Sequence, residues 1–140
     1  MILPKNGRIV IVDDNIKEAE PLMSIFSKNR IPFNYYDGKV KNLPSSSIDN
    51  KFRLLFLDLN IVESNKKAKD VISVLSAILN RIIPDNPNPY VLVIWSKNND
   101  EYSSDLEKHF KNVLTKKRPV TTINLKKENF FDFDPELNEW

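Results

Sequence analysis

The sequence predicts a doubly wound α/β domain, a five-stranded parallel sheet with helices on both faces. Three of its features carry that expectation. Short, almost wholly apolar runs recur at residues 8–12 (RIVIV), 53–57 (RLLFL) and 90–95 (YVLVIW), as strands buried on both faces require. Segments with apolar residues at three- and four-residue steps alternate with these runs. Each run ends on a polar residue, Asp13-Asp14, Asp58 or Ser96, where a strand would emerge from the core.

The elements follow in chain order. Residues 8–12 read as a central strand, and Ile16, Ala19, Leu22, Met23 and Phe26 outline a first helix over 16–28. Pro21 fits such a helix only if it falls in the first turn. Residues 33–36 form a second strand closed by Asp37-Gly38, a turn pair. Pro44 and the Ser45-Ser46-Ser47 run leave little helix propensity over 40–50, so any helix there is brief. After the strand at 53–57, one apolar face (Ala68, Val71, Ile72, Leu75, Ile78, Leu79, Ile82) marks the longest helix, stopped by Pro84, Pro87 and Pro89. The strand at 90–95 is followed by an amphipathic segment with Tyr102, Leu106, Phe110 and Val113, then by a last strand over 120–125 that ends at Lys126. The segment 127–140, interrupted by Pro135, is short for a final helix and holds Phe130, Phe131, Phe133, Leu137 and Trp140. Those aromatic residues are expected to cover core or to dock on a partner.

Bulk properties narrow the function. The 140 residues suit one domain over 1–140, complete in itself or a portion of a longer protein. With 21 Lys+Arg against 19 Asp+Glu, charge gives no reason to expect nucleic acid as a partner. The absence of cysteine and the single histidine exclude disulfides, thiol chemistry and a histidine-rich zinc site, so any metal would be held by oxygen. No apolar run approaches the roughly 20 residues that cross a bilayer, and the expected location is the cytoplasm, away from membranes.

In an open parallel sheet, ligands bind beyond the carboxyl ends of the strands. Asp13, Asp14, Asp58, Ser96 and Lys126 are all predicted there. Singly, Asp13 or Asp14 could cap the first helix, Asp58 could face water at a strand end, and Ser96 could belong to a turn. Together, three carboxylates near one point repel each other unless a hard cation such as Mg²⁺ joins them. A carboxylate nucleophile beside such a cation, a hydroxyl and an ammonium suits phosphoryl transfer.

At IVDDN, LLFLDLN, VLVIWS and INLKK the sequence resembles the receiver domain of bacterial response regulators, over about residues 8 to 130. The resemblance implies a flavodoxin-like strand order 2-1-3-4-5 and a phosphoacceptor at Asp58 in two-component signalling. It implies Mg²⁺ held directly by Asp14 and Asp58, through water by Asp13, and by the main-chain carbonyl of Asn60. Ser96 would be the switch hydroxyl and Lys126 the paired lysine, with Lys127 as the alternative. Partners would be a histidine kinase or another phosphodonor, and an attached output domain, a protein partner or a second copy as a homodimer. The chain departs from the family pattern at Leu59-Asn60-Ile61, where proline and glycine are usual, and at Lys97, where a small residue is usual. Two other readings stand beside it. One is a pseudo-receiver that binds protein without taking phosphate. The other is a phosphatase of the haloacid dehalogenase type, whose pattern would want an aspartate at position 60 and a nucleophile on the first strand.

Overall fold

The computed structural model describes residues 9–45, 51–59, 68–96 and 103–127. Its strands are β1 (Ile9–Val12), β2 (Phe33–Tyr36), β3 (Leu54–Leu57), β4 (Val91–Ser96) and β5 (Thr121–Lys126). They form one parallel sheet in the order β2-β1-β3-β4-β5. The predicted flavodoxin-like order is therefore the observed one. Three α-helices lie among the described residues: α1 (Ile16–Lys28), α2 (Ala68–Ile82) and α3 (Ser103–Asn112).

All four residues of β1 are buried, because β1 sits between β2 and β3 with helices on either side. Successive side chains of each strand enter opposite faces of the sheet. Val10, Val12, Leu55, Leu57, Leu92 and Ile94 pack under α2 and α3, against Val71, Leu75, Ile78, Leu79, Leu106 and Phe110. On the other face, Ile9, Ile11, Phe56, Val93 and Trp95 pack with Ala19 and Leu22 of α1, and Leu125 of β5 joins them. Trp95 is thus core, as its place at the end of a buried strand predicts. Edge-on contact between Phe56 and Trp95, with ring centroids 6.2 Å apart, adds to that side.

Local details depart from expectation at Pro21, Ile16 and Val113. Pro21 stands well inside α1, not in its first turn, since Asn15 is the N-cap and accepts from the Lys17 N–H. Burial of Ala19 and Leu22 on either side of Pro21 holds the helix together where propensity alone would break it. Ile16 is 48% exposed and Val113 is 63% exposed, beyond the end of α3, so neither belongs to an apolar face. Between β2 and β3 the only helical element among the described residues is a single 3₁₀ turn at Val40–Asn42. Asp37 holds that turn by accepting from the Lys39 N–H and the Asn42 side chain, while Gly38 supplies a backbone φ of 87°. His109 lies half-buried with its Nε2 2.8 Å from the Ser76 hydroxyl, linking α3 to α2.

Candidate functional site

Strand register brings the carboxylates together. Val12 pairs with Leu57 across β1 and β3, so the next residues, Asp13 and Asp58, leave the sheet side by side. Their main chains are tied to the neighbouring strands: the Asp58 N–H donates to Val12 O at 3.0 Å, and the Asp13 N–H donates to Tyr36 O at 3.1 Å. Asp13, Asp14 and Asp58 each offer a carboxylate oxygen, and the three oxygens lie within 4.8 Å of one another. Asp13 and Asp58 are buried while Asp14 is exposed, so the cluster has a deep end and a wet end.

The deep end holds a lysine, and it is Lys127. Its Nζ lies 2.6 Å from Asp13 Oδ2, 2.8 Å from Glu18 Oε2 and 3.4 Å from Asp58 Oδ2. This corrects the sequence expectation, which put Lys126 in that place with Lys127 as the alternative. The cause is strand parity. Ile11 and Asp13, Phe56 and Asp58, and Leu125 and Lys127 are two-residue steps on the α1 side of the sheet, whereas Lys126 is one step out of phase. Lys126 is only half-buried, in register with Ser96 at the ends of β5 and β4.

Glu18 was not singled out from sequence. It stands in the first turn of α1 three residues after the Asn15 N-cap, where an acidic residue suits the positive end of the helix. That bland role hid its second one, because nothing along the sequence shows that the Lys127 side chain reaches the first turn of α1. The signal that existed was the spacing of Glu18 with Ala19 and Leu22, the buried face of the helix.

Electrostatics follow from the packing. Burial pushes the Asp14 carboxyl above its ordinary range, and the charges of Asp13 and Glu18 push the same way. Burial opposes the Lys127 ammonium, but Asp58 and Asp13 outweigh it and hold the group charged above the usual lysine range. The Tyr35 hydroxyl donates to the main-chain oxygen of Asp13. Burial, then the charges of Asp13, Asp37 and Asp14, push that phenol up to about 12, so it remains a donor throughout the neutral range. The Asp13 Oδ1 accepts from the Asn15 N–H at 2.9 Å, which fixes the turn between β1 and α1.

One consequence concerns Asp14. A carboxyl whose folded value is raised costs stability when ionised, so Asp14→Asn should raise the melting temperature near neutral pH, by an amount that solvent screening keeps below about 1 kcal/mol. The same change should weaken Mg²⁺ binding at least about tenfold. Calorimetry with and without Mg²⁺ checks both signs; a variant that is both less stable and equally good at binding Mg²⁺ would contradict them.

The backbone of Ser96 ends β4 beside Lys126. Asn60 and Lys97 lie outside the described residues, as does the aromatic segment with Phe130, Phe131, Phe133, Leu137 and Trp140. The cluster lies at the carboxyl edge of the sheet. A groove of about 540 Å³ between α3 and β5, floored by Leu92, Ile94, Leu106 and Phe110, contains none of the carboxylates.

Fold and site together define a doubly wound α/β protein with an acidic, lysine-containing cluster at the carboxyl edge of its sheet. The chain matches no protein-family model and no curated protein. Among solved structures it is similar to the crystal structure of adenylate cyclase from Rhodopirellula baltica, at 16% identity and a TM-score of 0.44, over 85% of this chain and 76% of that one. Similarity of that degree bears on neither fold nor function, and the fold rests on the strand order itself. No helix among the described residues is long and apolar enough to cross a membrane.

Proposed function

We propose that this chain is a receiver-type phosphoacceptor module, taking a phosphoryl group on Asp58 with Mg²⁺ bound beside it. The observation that supports this reading most is the convergence of the Asp13, Asp14 and Asp58 oxygens within 4.8 Å, with the Lys127 ammonium at their inner edge. Lys127 alone cannot balance these carboxylates and Glu18. An all-oxygen donor set with one exposed member, Asp14, suits a hard cation that keeps part of its water. Asp14 and Asp58 would hold it directly, Asp13 through water, and the carbonyl of Asn60 would complete the set. When bound, the cation supplies positive charge to the oxygens of an incoming phosphoryl group.

In the step itself, an Asp58 carboxylate oxygen attacks phosphorus and the new O–P bond forms as the bond to the leaving group breaks. The leaving group departs with the electron pair and takes its proton from water. Lys127, 3.4 Å from Asp58 Oδ2, is placed to offset negative charge on the transferred group. The hydroxyl of Ser96 is the proposed switch group. A histidine kinase or another acyl or phosphoramidate phosphodonor would supply the phosphoryl group, and an attached domain, a protein partner or a second copy would read the result.

A second reading, a phosphate-free protein-binding module, is favoured by one observation: Asp58 is only 2% exposed, with a lysine already against it. Titration with beryllofluoride, a phosphoryl mimic, separates the two. The expected result is a bound fluorine-19 signal that needs Mg²⁺ and saturates at one site per chain. No bound signal at millimolar beryllofluoride and Mg²⁺ would leave the binding module as the better account.

A further inference from the structure

We propose that Glu18 is a positioning residue that competes with the anion at Asp58 for the Lys127 ammonium, so that occupancy of the site is coupled to the first turn of α1. The inference rests on the phosphoacceptor reading and adds to it a carboxylate that plays no part in metal binding or in the transfer step.

The geometry is unequal. An ammonium has three donors, and those of Lys127 meet Asp13 at 2.6 Å and Glu18 at 2.8 Å, both within the range of charge-assisted hydrogen bonds. Asp58 stands off at 3.4 Å. Lys127 is therefore drawn back from the phosphoacceptor by the two shorter contacts. Glu18 is anchored on α1 by Ala19 and Leu22, which are buried against β1 and β3, so its main chain is held and only its side chain can follow the ammonium without moving the helix.

A phosphoryl group on Asp58 adds negative charge on the side of the longest contact. As Lys127 turns toward that charge, it leaves Glu18, 4% exposed, without the ammonium it faces in the resting state. Losing a charge-assisted hydrogen bond to a buried carboxylate is costly. That cost is charged against the phosphorylated state, so Glu18 lowers the affinity of the site for anions. It also gives the first turn of α1 a reason to rearrange when the site fills. Glutamine at this position keeps the size and loses the charge, removing the competition.

The test uses the whole chain. Beryllofluoride affinity in the presence of Mg²⁺ is measured by fluorine-19 signals for the wild type, Glu18→Gln and Glu18→Asp, with chemical denaturation on the same samples. Glu18→Gln should bind the mimic roughly tenfold more tightly while being less stable than the wild type. Glu18→Asp, which keeps the charge but withdraws it by one methylene, should fall between them in affinity. Hydrogen exchange should show amides 17–20 losing protection when the wild type binds the mimic, and no such loss in Glu18→Gln. A merely structural Glu18 would lower stability and affinity together. If the wild type binds the mimic and neither variant binds more tightly, the competition is overturned and the phosphoacceptor reading stands. If the wild type does not bind at all, the phosphoacceptor reading falls first, and this inference with it. Should Glu18→Gln fail to fold, the affinity and exchange of Glu18→Asp alone decide, unchanged values overturning the proposal.

Discussion

Lys127→Met is expected to lower stability by about 3–5 kcal/mol, whereas Lys126→Met should change it by less than about 1 kcal/mol. Adjacent lysines with such different effects follow from where their ammonium groups lie. Lys127 is fully buried and touches Asp13, Glu18 and Asp58, each itself 4% exposed or less. Methionine fills the same space without charge, removing the ammonium that the three buried carboxylates share. At the alkaline end the sign is definite. Lys127 has a folded value raised above the ordinary 10.5, so its contribution is fully present below that pH. As pH rises further, the unfolded chain loses its proton first, and the contribution disappears by the time the folded value is passed. Tyr35, raised to about 12, loses stability in the same direction over the same range. The alkaline slope of Lys127→Met keeps the contributions of Tyr35, Tyr36 and Tyr90, all raised by burial, and its difference from the wild type reports the lysine together with its effect on Tyr35. Urea unfolding at a series of pH values provides both numbers; equal stability of the two lysine variants would show that the parity argument for Lys127 is wrong.

Asp58→Asn should abolish labelling by a small acyl phosphate in the presence of Mg²⁺. An amide is a poor nucleophile and carries no charge to hold a cation, so both requirements of the transfer fail at once. Asp13→Asn should retain part of the labelling, because Asp13 serves Lys127 and the water around the cation and does not form the new bond. Intact mass should show one added phosphoryl group on the wild type, released by hydroxylamine as an acyl phosphate is. The same analysis should show none on Asp58→Asn. Undiminished labelling of that variant, or a hydroxylamine-resistant adduct, would place the phosphoryl group elsewhere and remove Asp58 from its proposed role. The Asn variant is also informative about folding. Of the three carboxylates that touch Lys127, Asp58 is the farthest, so its loss should cost less stability than the loss of Lys127 itself.

Much of the fold was legible because buried parallel strands leave a strong local signature. The runs IVIV, LLFL and VLVIW have no polar alternate residue, and that alone places them between two helical layers. Their terminal aspartates were equally plain, since a carboxylate ending such a run must surface at the sheet edge. Helix ends were also local matters, and α1 spans the predicted 16–28. Pro21 was harder, because its tolerance inside α1 depends on the burial of Ala19 and Leu22 against the sheet, a contact that local helix propensity does not show.

The strand order followed from the family resemblance, whereas the sequence by itself determined the layering and the emergence of Asp13, Asp14 and Asp58 at one edge. Those features depend on hydrophobic periodicity, which each segment carries within itself. The choice of Lys127 over Lys126, and the place of Glu18 beside it, were decided only by tertiary structure. β5 reads TTINLK and is largely exposed, so its pattern does not say which of two alternating phases faces α1. That phase is set by Leu125 packing with Trp95 and the α1 residues on the other strands' inner face, and a shift of one residue would have reversed it.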